Sequence, residues 1–146
     1  MTGESTIRGD TEGDSDTADG ETAGIDTTDG DAPARPVEMH SAEELDAFLA
    51  DHEIVLVEFH TEGCTLCESI QPVLGAVARA ADVPVATINP RDDPELIERF
   101  TIASVPTLLV VVDGEPVDRL AEGFVGADRI LEFLATHAPD RVPKER

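Results

Sequence analysis

Residues 60–72 read HTEGCTLCESIQP and contain the only two cysteines of the chain, Cys64 and Cys67. The six residues before this stretch, IVLVEF at 54–59, are continuously apolar except for one glutamate, which is typical of a strand covered on both faces. From Cys67 onwards the apolar residues recur at helical spacing. The cysteines therefore stand where a strand gives way to a helix. Three interpretations are open: a dithiol that exchanges with disulfides, part of a metal site, or two small hydrophobic residues.

The chain after residue 40 alternates between helical and strand patterns. Ser41 with Glu44 three residues later predicts a capping box at the start of the first helix. Asp113-Gly114 predicts a hairpin turn, and Pro116 opens the strand after it, which suits an edge position. Helices are predicted from residue 41, from 67, at 94–100 and at 127–137, with strands at 54–59, 83–88, 107–112 and 116–120 and a candidate short strand at 37–40. This order predicts an α/β fold in which a mixed central sheet carries helices on both faces.

The charge of the chain excludes two classes of partner. Its 146 residues include 32 acidic and 10 basic side chains, for a formal net charge of −22. Such a charge repels nucleic acid and anionic membrane surfaces, and it is typical of the solvated acidic shell of halophilic proteins. We find no membrane-length apolar stretch and no secretory-signal pattern, so we expect a cytoplasmic protein. In that compartment the two cysteines are not expected to form a purely structural disulfide.

The composition divides the chain into three parts. Residues 1–36 carry ten acidic residues against Arg8 and Arg35, with almost no large apolar side chains. Such a segment cannot bury enough apolar surface to offset its ordering entropy, so we expect a disordered acidic tail. The folded domain is expected at 37–140, followed by a short C-terminal tail at 141–146.

The position of the two cysteines favours exchange chemistry. At a helix N-terminus the first sulfur faces unpaired backbone N–H groups and the positive end of the helix dipole, both of which favour a thiolate. The second sulfur lies about one turn further on and can attack a mixed disulfide formed on the first. Glu58 is the one carboxyl inside the predicted buried strand, where desolvation should raise its pKa. Such a group can take a proton from the second cysteine and return it.

Two other classes of function remain open. His60, Cys64 and Cys67 form an HxxxCxxC pattern that supplies three soft ligands for zinc, with the fourth to come from His40, His52 or His137. A redox-inert binding module that uses the acidic tail for docking is the third class.

Two prolines add to the pattern. Pro106, in SVPT, comes directly before a strong strand, where a cis peptide bond would turn the chain and expose the backbone of Val105 beside the cysteines. Pro72 lies inside the predicted helix, where it removes one backbone hydrogen bond and should kink the helix.

These landmarks together resemble the thioredoxin family. The segments VLVEFHTEGCTLCESIQPVL, SVPTLLVVVDGEPV and EGFVGADRILEFL carry the resemblance, which spans roughly residues 40–138. It implies a thioredoxin-like fold in which Cys64 is the exposed nucleophile, Cys67 is the buried resolving thiol and Glu58 is the buried acid. It further matches Pro72 to the family's kink proline, Pro106 to its cis-proline and Gly123 to the glycine of the substrate groove. Substrate contacts are accordingly expected at Val105, Pro106, Gly123, Gly63 and His60.

The active-site sequence departs from the family pattern. The usual Trp-Cys-Gly-Pro-Cys is here Gly63-Cys64-Thr65-Leu66-Cys67, and His60 replaces a second aromatic residue. Thr87 occupies the position of a lysine that often partners the buried acid, and Glu68 replaces a common basic residue. These changes bear on the redox potential and leave the direction of exchange open. The resemblance implies a monomer that needs no cofactor, acts on protein disulfides and receives electrons from a thioredoxin-reductase-like enzyme or a small thiol.

Overall fold

The computed structural model describes residues 32–143. It contains five strands and four α-helices in these residues, with 3₁₀ turns at Pro90–Asp92 and Pro139–Arg141. The strands are β1 (Val37–Met39), β2 (Ile54–Phe59), β3 (Val85–Ile88), β4 (Thr107–Val112) and β5 (Glu115–Leu120). The helices are α1 (Ala42–Ala50), α2 (Thr65–Ala80), α3 (Glu95–Arg99) and α4 (Ala127–His137). A disordered tail was predicted for residues 1–36, and residues 1–31 of it lie outside the described residues. Residues 144–146 of the predicted C-terminal tail also lie outside them.

The strands form one mixed sheet in the order β1-β3-β2-β4-β5. The first three are parallel to one another, whereas β4 and β5 run antiparallel to their neighbours. The sequence-based expectation of a mixed sheet with helices on both faces is confirmed, including the short first strand and the edge position of the strand that contains Pro116. No helix within residues 32–143 is long and apolar enough to cross a membrane.

Local sequence signals account for several of these elements. The Ser41 hydroxyl accepts a hydrogen bond from the Glu44 N–H at 3.1 Å, which caps α1. The Glu44 carboxylate reaches back to the N–H of His40 at 2.6 Å, one residue earlier than in the standard capping box. Asp113 and Gly114 both have positive φ, 51° and 82°, as the two central residues of a tight hairpin require.

Strand β2 lies at the centre of the sheet, and all six of its residues are buried. Because side chains alternate across a strand, Ile54 and Leu56 join a core that contains residues of α2 and α4. Val55, Val57 and Phe59 join the second core, with residues of α1 and α3. Glu58 shares the parity of Ile54 and Leu56, so the same alternation directs it toward α2.

Candidate active site

Helix α2 begins directly at the two cysteines. Cys64 is the N-cap residue, with an extended backbone at φ −96° and ψ 108°. Its sulfur accepts a hydrogen bond from the backbone N–H of Cys67 at 3.1 Å. Gly63 precedes it with φ +77°, a conformation that L side chains rarely adopt. The turn between β2 and α2 therefore presents the first sulfur to the free amides of the helix N-terminus, which favours the thiolate.

The two cysteines differ in their access to solvent. They are bonded to each other in this structure, with Cα atoms 5.2 Å apart. Cys64 is partly exposed, whereas Cys67 is only 2% exposed. A substrate can therefore reach the Cys64 sulfur, while the Cys67 sulfur is accessible mainly to Cys64. This asymmetry suits an attacking thiol followed by a resolving thiol.

Glu58 is fully buried in β2. Its burial raises the pKa of the carboxyl from 4.5 to about 7, and a hydrogen bond from Gln71 opposes this rise. Thr87 lies opposite Glu58 on β3 and Leu108 lies opposite it on β4, so neither neighbouring strand brings a charge at these positions. The carboxyl therefore titrates close to neutral pH, where a group that accepts and returns a proton is most effective.

Gln71 is a residue of this site that was not predicted from the sequence. Its amide nitrogen donates a hydrogen bond to Oε1 of Glu58 at 3.2 Å and lies 3.4 Å from the carbonyl oxygen of Cys67. The available signal was its spacing, because residues four apart on a helix share one face and Gln71 follows Cys67 by four. Thr87 had suggested that the buried acid lacks a partner, but the partner comes from the helix instead of the neighbouring strand.

The loop before β4 has the conformation expected from its proline. The peptide bond between Val105 and Pro106 is cis. The Thr107 hydroxyl donates a hydrogen bond to the carbonyl oxygen of Ser104 at 2.6 Å, closing the turn around this bond. Since Phe59 pairs with Thr107, Val105 and Pro106 lie beyond the end of β2, where the chain leaves the sheet towards the cysteines. Pro106 is buried and Val105 is partly exposed.

Gly123 lies against the first turn of α2. It has φ +81°, and a Cβ atom at this position would stand 3.5 Å from Cδ1 of Leu66, the residue before Cys67. Leu66 is 45% exposed, and Phe124, directly after Gly123, is 50% exposed. Neither side chain was predicted from the sequence to have a role. Leu66 belongs to the CxxC segment, Gly123 lies against it and Phe124 follows Gly123; we refer to these three residues as the Leu66–Phe124 surface.

His60 lines a pocket of about 260 Å³ that also borders Cys67. It is half-buried, and burial lowers the pKa of its imidazole while the carboxylates of Glu38 and Asp92 oppose that effect. The remaining lining residues of this pocket are Glu38, Thr61, Glu62, Glu68, Gln71 and Thr87.

The part of the chain that the structure describes contains no set of side chains arranged as zinc ligands. No group of three His, Cys, Asp or Glu side chains there is arranged to hold a metal ion. The histidines considered as a fourth ligand contact groups elsewhere: His40 lies 4.0 Å from the Asp92 carboxylate, His52 contacts the Phe48 carbonyl at 3.0 Å and His137 contacts the Asp118 carboxylate at 2.7 Å.

Comparison with known proteins agrees with this geometry. Residues 36–136 match the family model described as Thioredoxin. A thioredoxin of Chlamydia caviae is 32% identical over 103 residues, which cover 70% of this chain and 99% of that protein. A thioredoxin of Mycobacterium tuberculosis is 35% identical over 94 residues, covering 63% of this chain and 80% of that protein. A mutant thioredoxin from Halobacterium salinarum has a solved structure that matches with a TM-score of 0.69 and 25% identity, over 79% of this chain and 97% of that one.

Proposed function

The chain belongs to the thioredoxin family and is a thiol–disulfide oxidoreductase, and we propose that it reduces disulfide bonds of cytoplasmic proteins through Cys64 and Cys67. The observation that carries this proposal is the unequal exposure of the two bonded sulfurs at the start of α2. Only Cys64 is open to a protein substrate. Reduction is the direction we propose because the thiol pool of the cytoplasm is itself reducing.

The reaction proceeds in two exchanges. The Cys64 thiolate attacks one sulfur of the substrate disulfide, the substrate S–S bond breaks, and one substrate thiolate leaves while the other sulfur stays bonded to Cys64. Cys67 then loses its proton and attacks the Cys64 sulfur. The second substrate thiolate leaves, and the Cys64–Cys67 bond forms. Two electrons thus pass from the dithiol to the substrate.

Glu58 is the proposed acceptor of the Cys67 proton. Its carboxyl titrates at about 7 because it is buried, so near neutral pH it can both accept and return a proton. The electrons are restored by a thioredoxin-reductase-like enzyme or by a small thiol. We propose that the protein acts as a monomer with no cofactor besides its own dithiol.

Substrate binding is proposed along the loop before β4 and the Leu66–Phe124 surface. An extended substrate segment would pair with the backbone at Val105, beside the cis bond to Pro106, as a strand adds to a sheet edge. Gly123 would leave room for the segment, and Gly63 and His60 would border it. Leu66 and Phe124 supply the exposed apolar area that such a contact would bury.

The test is the reduction of insulin by dithiothreitol, followed by the turbidity of the released B chain. Because the acidic shell suggests a salt-rich environment, the assay is run in molar KCl and in dilute buffer. We expect the wild-type protein to accelerate reduction, Cys64→Ser to be inactive, and Cys67→Ser to accumulate a mixed disulfide with its substrate. Ser69→Ala, on the exposed face of α2, is the matched control with normal activity.

Two kinds of outcome would contradict the proposal. Normal turnover by Cys64→Ser, or a mixed disulfide that accumulates on Cys64→Ser and not on Cys67→Ser, would refute the roles assigned to the two sulfurs. A folded wild-type protein that does not accelerate reduction in either salt would refute general protein-disulfide reduction.

A further inference from the structure

The two carboxyl oxygens of Glu58 have different surroundings. Oε1 accepts the hydrogen bond from the Gln71 amide at 3.2 Å. Oε2 is buried, and no group within residues 32–143 donates to it. A buried carboxylate oxygen without a donor is unfavourable, and protonation of that oxygen removes the charge that is costly to bury. The asymmetry therefore distinguishes the oxygen that is held in place from the oxygen that is free to take up a proton.

Gln71 connects this carboxyl to the resolving cysteine. The same amide nitrogen lies 3.4 Å from the carbonyl oxygen of Cys67, one helical turn earlier on α2. Gln71 also lines the 260 Å³ pocket that borders Cys67 and Thr87, although Glu58 itself is fully buried. The Gln71 side chain thus spans from an accessible pocket to a buried acid.

We propose that Gln71 is a positioning residue that holds Oε1 of Glu58 and thereby leaves Oε2 to accept the proton of Cys67 during the second exchange. This inference rests on the function proposed above. In the step, the Cys67 S–H bond breaks, its proton passes to Oε2, and the sulfur's electron pair forms the bond to Cys64. The bond between Cys64 and the substrate sulfur breaks, and its electron pair leaves with the substrate thiolate.

The hydrogen bond from Gln71 to Glu58 predicts the direction in which changes at Gln71 shift the pKa of Glu58. An amide N–H donor stabilises the ionised carboxylate more than the neutral acid, so Gln71 lowers the pKa that burial raises. Removing the amide should raise the pKa of Glu58, and a cationic donor at the same position should lower it. Apart from the lysine introduced in Gln71→Lys, the titratable groups around the pocket are the same in every variant: Glu38 on β1, His60 and Glu62 after β2, and Cys67 and Glu68 on α2.

The experiment compares Gln71→Ala and Gln71→Lys with the wild-type protein and with Ser69→Ala, an exposed position on the same helix that does not line the pocket. The titration of Glu58 is followed by NMR of protein labelled with ¹³C-glutamate, with Glu58→Gln to assign the signal. Reduced protein is also mixed with 5,5′-dithiobis(2-nitrobenzoate) over a range of pH. The first thionitrobenzoate released reports the attack by Cys64, and the second reports the attack by Cys67.

We expect Gln71→Ala to raise the titration midpoint of Glu58 by about one unit, and Gln71→Lys to lower it. At pH values below the midpoint, the second release should be about tenfold slower in Gln71→Ala, because the ionised fraction of Glu58 falls about tenfold per unit. Ser69→Ala should match the wild type in both readouts.

If the titration midpoint of Glu58 is the same in Gln71→Ala and Gln71→Lys, or shifts in the same direction in both, the positioning role is overturned. This holds even if the rate of the second thionitrobenzoate release changes. Failure of the proposed function would look different. In that case the wild-type protein would release no second thionitrobenzoate, while the NMR titration would still decide whether Gln71 holds the Glu58 carboxyl.

Discussion

Replacing Glu58 by glutamine is expected to stabilise the protein at neutral and alkaline pH while impairing its exchange chemistry. Glutamine keeps an oxygen that can accept the hydrogen bond from Gln71, but it cannot ionise. The wild-type carboxyl is fully buried, and burial raises its pKa from 4.5 to about 7. Below pH 4.5 the carboxyl is protonated in both the folded and the unfolded protein, so it causes no pH-dependent difference there.

Between pH 4.5 and about pH 7 the unfolded protein loses the proton of the Glu58 carboxyl while the folded protein keeps it. The folded state then binds more protons, so the wild-type free energy of unfolding falls as the pH rises. A shift of about 2.5 units, at about 1.4 kcal/mol per unit, makes the loss about 3 kcal/mol once the pH is above 7. Glu58→Gln lacks this loss, so its stability relative to the wild type should rise by most of that amount between pH 5 and pH 8.

The assay is urea unfolding of the oxidised proteins at several pH values and one salt concentration, with the difference between variant and wild type plotted against pH. Titration of the other carboxyls largely cancels in that difference. Glu115→Gln, an exposed glutamate at the start of β5, is the matched control and should give a flat difference near zero. A flat difference for Glu58→Gln as well would refute the reasoning, because it would mean that the buried carboxyl titrates normally.

Three further predictions concern other parts of the molecule. Phe124→Ser should lower kcat/KM for a protein disulfide about tenfold, because an exposed apolar contact is lost, and should leave the reaction with a small disulfide unchanged. Val117→Ser, equally exposed on β5, is the control, and equal losses of kcat/KM for the protein and the small disulfide would argue against a docking role for Phe124. Ser41→Ala should reduce the free energy of unfolding by about 1 kcal/mol in urea, because the cap on the Glu44 N–H is lost, and an unchanged midpoint would show that the cap contributes nothing. Deletion of residues 1–36 should preserve both a cooperative thermal transition and insulin reduction; loss of the transition would show that the acidic segment supports the fold.

Glu58 illustrates a conflict between stability and function. The fully buried carboxyl lowers stability above neutral pH, and an uncharged residue of similar size would remove that cost. Its pKa near 7 is also what allows it to exchange a proton with a thiol at physiological pH. We therefore expect variants at this position to separate the two properties, with gains in unfolding free energy accompanied by a slower second exchange.

Much of the fold could be predicted from sequence because its signals are local. The apolar run of β2, the helical spacing of α2, the Ser41 cap and the Asp113-Gly114 turn each act within a few residues, and all are present in the structure. The predicted boundaries were less accurate at β3, which begins at Val85 instead of residue 83. Pro84 precedes that strand and lacks the N–H that a ladder bond requires.

Local sequence patterns therefore predict the order of the elements, the position of the CxxC segment at a helix N-terminus and the presence of one acid in a buried strand. The side chains that meet at this site are specified by contacts between elements that are far apart in the sequence. Gln71 reaches Glu58 across 13 residues of sequence, and Gly123 approaches Leu66 from a distant loop. Hydrophobic patterning specifies which face of an element is buried, but it does not specify which polar group from another element lies opposite. That pairing depends on how α2 packs on the sheet, and it determines the environment of each oxygen of the buried acid.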